Sequence, residues 1–227
     1  MPRPALNPDH IHVLSWNIAK GRHPHWQQDL THLTQVADLA LIQEARLENN
    51  MHQVMADCCW AFAPGYRRQN HTTGVMTICR AQTINHSLHS HREPLIRLPK
   101  AALITEYRLQ QHAQTLLVAN VHAINFTPGT AHFSRQLHAV GHALAAHKGP
   151  LIVCGDFNTW RGKRVRVLSE LINHLGLEAV VFEQDHRRCS FGFALDHIFY
   201  RGLRPRDGQV KRVHSSDHNP ISAVLGL

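Results

Sequence analysis

The sequence predicts an α/β domain in which two β-sheets pack face to face with helices outside them. Three observations carry this expectation. Short apolar runs of strand length recur along the whole chain, three segments show helical periodicity, and no linker or composition break divides the chain. Periodicity by itself leaves other α/β arrangements open.

The strand-like runs are Ile11–Ile18, Leu39–Ile42, Gly74–Cys79, Ala101–Tyr107, Leu116–Val121, Leu151–Cys154, Asp196–Tyr200 and Ile221–Leu225. Several are rich in Val, Ile and Leu, and turn residues bound most of them. Helices are expected over Trp26–Val36, Ala131–His147 and Lys163–His174. In the second of these, Phe133, Leu137, Val140 and Leu144 recur at spacings of three and four and form one apolar stripe. With no internal repeat or low-complexity tract, residues 1–227 are expected to form a single domain.

Hydrophobic residues make up 43% of the 227, enough for a real core, and charged residues 18%, which argues against disorder. No apolar run approaches the ~18 residues of a membrane span, and Met1-Pro2-Arg3-Pro4 lacks a secretory pattern. The five cysteines have no C-x-x-C spacing, so neither a disulfide framework nor a structural zinc site is suggested. A cytoplasmic protein without a membrane segment is expected. The formal net charge of +8 favours polyanionic partners such as nucleic acid, or anionic lipid headgroups. Most of the 21 histidines are scattered singly and read as surface or half-buried polar residues.

Polar clusters stand at the ends of the strand-like runs, where a strand can deliver a side chain rigidly to a sheet edge. They are Trp16-Asn17, Gln43-Glu44, Asn120-Val121-His122, Gly155-Asp156-Phe157-Asn158 and Ser216-Asp217-His218-Asn219-Pro220; Leu195-Asp196-His197 opens a strand. Taken singly each is weak: a Glu after a strand is usually solvated, and a D-x-N turn usually holds its own backbone. Together they supply hard oxygen ligands for Mg²⁺ or Mn²⁺ and histidines able to move protons near neutral pH. Phosphodiester hydrolysis requires such a set.

These motifs, in this order from Trp16 to Pro220, resemble the endonuclease/exonuclease/phosphatase superfamily. The stretches REPLIRLPKAALIT, NVHAINF, GDFNTW, LDHIFYRGL and SSDHNP are similar to bacterial YafD-like proteins. The resemblance implies a four-layer α/β/β/α sandwich of two mixed sheets, a Mg²⁺ (or Mn²⁺) cofactor, and a phosphodiester hydrolase. It implies Glu44 as the main metal-binding carboxylate, with Asn17 beside it and Asp217 near the metal. Asp156 and Asn158 match the pair that positions water and the scissile phosphate. His218 matches the histidine that acts as general base, or as phosphate stabiliser in other proposals, oriented by Asp196, and His122 the second histidine that protonates the leaving group in some branches. Arg46 and Arg92 resemble phosphate-contacting arginines. The glutamate that supports the second histidine in the deoxyribonuclease branch has no counterpart in Thr72-Thr73-Gly74, so His122 is either less well oriented or held by another group such as Glu93.

The run Arg161-Gly162-Lys163-Arg164-Val165-Arg166 reads equally as a phosphate-tracking rim or a solvated helix start, and Trp160 as a stacking surface or a buried anchor. A nuclease acting on DNA or RNA is the leading expectation, with no obligate protein partner implied. The alternative is a lipid or small-molecule phosphoesterase of sphingomyelinase or inositol-phosphatase type; against it, the sequence shows no amphipathic helix or apolar hairpin for a membrane.

Overall fold

In a computed structural model of the chain, described over residues 3–47, 51, 54–55, 58–68, 71–94 and 98–227, fourteen strands and three α-helices are found among the described residues. The longer strands are β1 (Ile11–Asn17), β2 (Leu39–Arg46), β3 (Cys59–Arg68), β4 (His71–Cys79), β5 (Thr83–Arg92), β6 (Pro99–Arg108), β7 (Thr115–His122), β8 (Leu151–Asp156), β12 (Asp196–Arg201), β13 (Arg204–Val210) and β14 (Ile221–Gly226). Three two-residue strands, β9 (Glu178–Ala179), β10 (Cys189–Ser190) and β11 (Phe193–Ala194), complete the set. The helices are α1 (Trp26–Val36), α2 (Ala131–Ala145) and α3 (Gly162–Leu175).

Two six-stranded sheets result, in the orders β13-β14-β1-β2-β4-β3 and β5-β6-β7-β8-β12-β9. Both are mixed, because β1 runs parallel to β2 and β7 parallel to β8 while their other pairings are antiparallel. The period-two alternation of the strands builds the layers. On β1, Ile11 and Val13 join the core between the sheets, while Leu14 and Trp16 pack on the other side with Leu30 of α1. On β8, Ile152 and Cys154 face inward, while Leu151 and Val153 meet the stripe Phe133, Leu137, Val140 and Leu144 of α2 and Leu168, Leu171 and Leu175 of α3. The result is the expected four-layer sandwich. Cys79 and Cys154 are buried core thiols; burial pushes Cys79 up to about 12.

Every predicted strand and helix is present, most of them one to three residues longer or shorter than the apolar run that marks them. The sequence reading passes over β3, β5 and β13, and all three are sheet edges. An edge strand lacks a neighbour along one side, and β5 (TINHSLHSHR) and β13 (RPRDGQV) are largely exposed and carry no apolar run. The same reading found no apolar hairpin; the structure has one at β10–β11, with Phe191 at its tip. Among the described residues, no helix is long and apolar enough to cross a membrane.

Candidate active site

The same alternation that builds the core delivers the site. On β1 the inward positions run Ile11, Val13, Ser15, Asn17; on β7 they run Leu116, Val118, Asn120, His122; on β8, Ile152, Cys154, Asp156; on β12, Tyr200, Ile198, Asp196. Asn17, His122, Asp156 and Asp196 are thus the last inward-facing residues of their strands, at one rim of the paired sheets. Just below them, Gln43 Nε2 donates to Asn120 Oδ1 at 2.8 Å, and Asn120 Nδ2 donates to the Met76 carbonyl at 2.9 Å. This buried amide pair ties the two sheets together directly under the rim.

Glu44 reaches the rim by breaking the pattern. The β2–β4 register slips between Ile42 and Ala45, and Glu44 takes a left-handed φ of 53°. A bulge of this kind re-aims a side chain. The Glu44 carboxylate lies 3.7 Å from Lys20 Nζ, 3.7 Å from Lys100 Nζ and 3.9 Å from His122 Nε2. Lys20 is presented by a turn in which Ala19, Lys20 and Gly21 all have positive φ. Asn158 is also left-handed (φ 49°), in a turn closed by its N–H donating to Asp156 Oδ1 at 2.9 Å, while its side chain donates to the Ala123 carbonyl. Gly155, before Asp156, is required: at φ 143° a Cβ there would sit 1.9 Å from the Val121 carbonyl oxygen.

His218 comes in on the loop before β14. Its backbone N–H donates to Ser216 Oγ, Ser216 Oγ donates to the Asn17 carbonyl, and Trp16 Nε1 donates to the His218 carbonyl, so the loop is bolted to β1. His218 Nδ1 meets Asp196 Oδ2 at 2.7 Å, leaving Nε2 4.0 Å from Asp156 Oδ2, which also accepts from Asn17 Nδ2 at 2.9 Å. Burial alone would pull the imidazole down, but the carboxylates of Asp196 and Asp156 outweigh it and push His218 up to about 10. Burial also pushes the Asp156 carboxyl up, against the pull of the His218 charge.

His122 has the opposite surroundings. Its Nε2 lies 2.7 Å from Lys100 Nζ and 3.6 Å from Asp156 Oδ2. Burial, then the Lys100 charge, hold it well below the ordinary histidine range, so the ring is neutral and Nε2 accepts from the ammonium. The support suggested for it, Glu93, is used elsewhere: Glu93 Oε1 accepts from the Asn125 and Phe126 amides at 2.7 and 3.3 Å. Arg164, one of the rim candidates, is fully buried instead, and its guanidinium donates to the carbonyls of Asn158, Asn125 and Ile124. It fastens the loops after β7 and β8 to each other. Trp160 is half-buried, with Nε1 donating to Asn125 Oδ1.

A cleft of about 460 Å³ opens over this rim, and Asn17, Glu44, His122, Asp156, Asn158, Asp217 and His218 all line it. Asp196 stands behind His218. Arg46 ends β2 and Arg92 ends β5, and neither lines the cleft. Lys20, Arg22, Lys100 and Arg188 do. Sequence reasoning missed them: a lysine ahead of an apolar strand reads as a solvated strand start, and nothing local says that Lys100 faces a carboxylate on the other sheet. The oxygen donors fit a hard divalent cation. Glu44 is held between two ammonium groups whose place a bound cation would take, and the ligand atoms of Asp156, Asp196 and His218 lie within 4.8 Å of one another. Asp196 Oδ2 is engaged by His218; Glu44, Asn17 and Asp217, the residues expected from the sequence to hold the ion, line the same cleft.

Fold and rim together define a class of hydrolase that works on phosphate esters with a divalent metal. The family model for the endonuclease/exonuclease/phosphatase family matches residues 14–218, and the chain belongs to that family. It is 38% identical over 224 residues to a UPF0294 protein of Erwinia tasmaniensis, covering 96% of this chain and 82% of that one. A UPF0294 protein of Klebsiella pneumoniae is 39% identical over 220 residues, with 96% and 83% covered. Among solved structures, the human Nocturnin catalytic domain superposes with a TM-score of 0.72 at 18% identity, covering 98% of this chain and 96% of that one. A mannosyl-6-phosphatase of Bacteroides thetaiotaomicron gives 0.72 at 14% identity, with 96% and 100% covered. At such identities the superpositions establish the shared fold.

Proposed function

We propose that the protein is a Mg²⁺- or Mn²⁺-dependent phosphodiesterase acting on nucleic acid. The observation that carries this reading is the line Asp196–His218–Asp156 at the rim, with Glu44 delivered beside it from the facing sheet by a strained bulge. Asp196 holds the His218 Nδ1–H, so Nε2 is the atom that takes the proton from an attacking water. Asp156 and Asn158 position that water and the phosphate. As the new P–O bond forms and the old one breaks, the Lys100–His122 pair stands on the side of Asp156 away from His218, where it meets the leaving oxygen. Glu44, Asn17 and Asp217 would hold a divalent cation, which would supply positive charge to the phosphate and offset the carboxylates that otherwise keep His218 protonated.

Nucleic acid is favoured by the net charge of +8 and by the cations of the cleft, with Arg92 and Arg46 taking flanking backbone phosphates. The test is a panel of plasmid DNA, single-stranded DNA, RNA, abasic duplex, sphingomyelin and inositol phosphates, each with Mg²⁺, Mn²⁺ and EDTA. Metal-dependent cleavage of a nucleic acid supports the reading; turnover confined to the lipid or the inositol phosphates overturns it. Arg92→Ala should make the salt dependence of DNA binding shallower by about one unit of slope. An unchanged slope removes Arg92 from the interface.

A further inference from the structure

Aromatic rings gather beside the cleft. Phe126 is 59% exposed and Phe191 84%, and the Trp160 ring lies 6.4 Å from that of Phe191. Their supports are rigid: Glu93 fixes the amides of Asn125 and Phe126, Asn125 fixes the Trp160 indole, and the Arg161 guanidinium lies 3.9 Å over the Trp160 ring. Phe191 and Gly192 form the two-residue tip of the β10–β11 hairpin, both with positive φ (51° and 82°). That turn favours Asn-Gly, because a bulky side chain is strained in the left-handed region. A ring left 84% exposed recovers nothing by packing. Neither turn chemistry nor the core explains a phenylalanine there, and strain of this kind points to use.

What the ring would meet is set by its surroundings. Phe126 and Ser190 line the same cleft as Asp156 and His218, and Arg22 and Arg188 add exposed positive charge to it. Arg161 and Lys163 extend that charge past Trp160. A flat π-surface beside a phosphate site ringed by cations is complementary to a nucleotide. Most of the side chains that line the cleft are charged or polar.

We propose that Phe191, with Trp160 and Phe126, is a stacking platform for an unpaired nucleobase next to the phosphate, making single-stranded nucleic acid the preferred substrate. This rests on the nucleic-acid reading above. Every base has a π-face, so the platform tolerates any sequence, whereas a duplex keeps its bases stacked on one another.

The test compares Phe191→Asn with the parent. Asparagine suits the left-handed turn position, so the variant should fold at least as stably. In an Asp156→Asn background, which prevents turnover, Phe191→Asn should weaken binding of a fluorescein-labelled single strand roughly 5- to 100-fold. Binding of the matching duplex should change little. With Asp156 intact and Mg²⁺ or Mn²⁺ present, the ratio of kcat/KM on single strand to duplex should fall by a similar factor. Equal losses on both substrates, or none on either, overturn the platform and leave the nuclease reading standing. A parent that neither binds nor cleaves any nucleic acid overturns the reading and the platform together. If Phe191→Asn instead abolishes sedimentation with phosphatidylglycerol vesicles and leaves strand binding unchanged, the ring belongs to a lipid interface.

Discussion

His122 and His218 are the same side chain in nearly the same burial, 6% and 7% exposed, and both stand within 4.0 Å of Asp156 Oδ2. Their charge states are opposite. His218 gives Nδ1 to a carboxylate and is driven up to about 10, while His122, lowered first by burial, gives Nε2 to an ammonium that lowers it further. Burial lowers both, so it cannot be what separates them. The partner decides: one ring is tuned to hold a proton, the other to hold a proton donor in place.

The largest expected effect tests that division of labour. His218→Ala should lower kcat about 10²–10⁴-fold, as loss of a general acid–base group does. His122→Ala should cost less, because the Lys100 ammonium remains. Single-turnover hydrolysis of one substrate by both purified, folded variants gives the ranking, and equal losses would erase the distinction. Next comes Arg164→Met, which strands the carbonyls of Asn158, Asn125 and Ile124 and loosens the loops behind Asp156 and His122. A loss of about 2–4 kcal/mol in urea unfolding is expected. A change under ~0.5 kcal/mol, the ordinary range for surface sites, would mean the tie is unimportant.

A smaller effect appears in the pH dependence of the metal-free protein. His218 is raised from 6.5 to about 10, so its contribution is complete below pH 6.5 and fades as pH climbs through 10. His197 is lowered from 6.5 to about 4, first by burial and then by Arg187, so its contribution is present above pH 6.5 and fades as pH falls towards 4. Thermal melts across pH should show Asp196→Asn flattening only the alkaline limb and His197→Phe only the acid limb. The smallest change is spectroscopic. Lys100→Met removes the charge on His122 but not its burial, so the His122 ring should titrate higher by NMR, though still below an exposed histidine. An unmoved titration would assign the whole depression to burial.

The sequence made the strand ends legible because one alternation serves two ends. A run such as Ile152, Cys154, Asp156 is apolar until the position that emerges at the rim, and the switch to a polar residue marks the site. Asp196 shows the same switch, while on β1 and β7 it comes one inward position earlier, at the buried Ser15 and Asn120. The edge strands β5 and β13 are largely exposed and gave no such signal, whereas β3 buries Ala61 and Ala63 and was passed over despite its apolar start. Lys20 and Lys100 were missed for another reason. Their meaning comes from Glu44, which lies 24 residues from one and 56 from the other and is turned towards both by a bulge that periodicity does not reveal. Arg164 was misjudged because a basic helix start looks the same whether its guanidinium faces water or three carbonyls.

The left-handed backbones at Glu44 and Phe191 have a consequence for anyone who would improve this protein. Each costs on the order of 1–3 kcal/mol that a glycine or asparagine would not. A library selected only for heat resistance should therefore collect Glu44→Gly and Phe191→Asn early. It would yield a tougher sandwich with an idle rim. Positions where such a selection and a selection for turnover pull in opposite directions would map the working surface without any substrate being known beforehand.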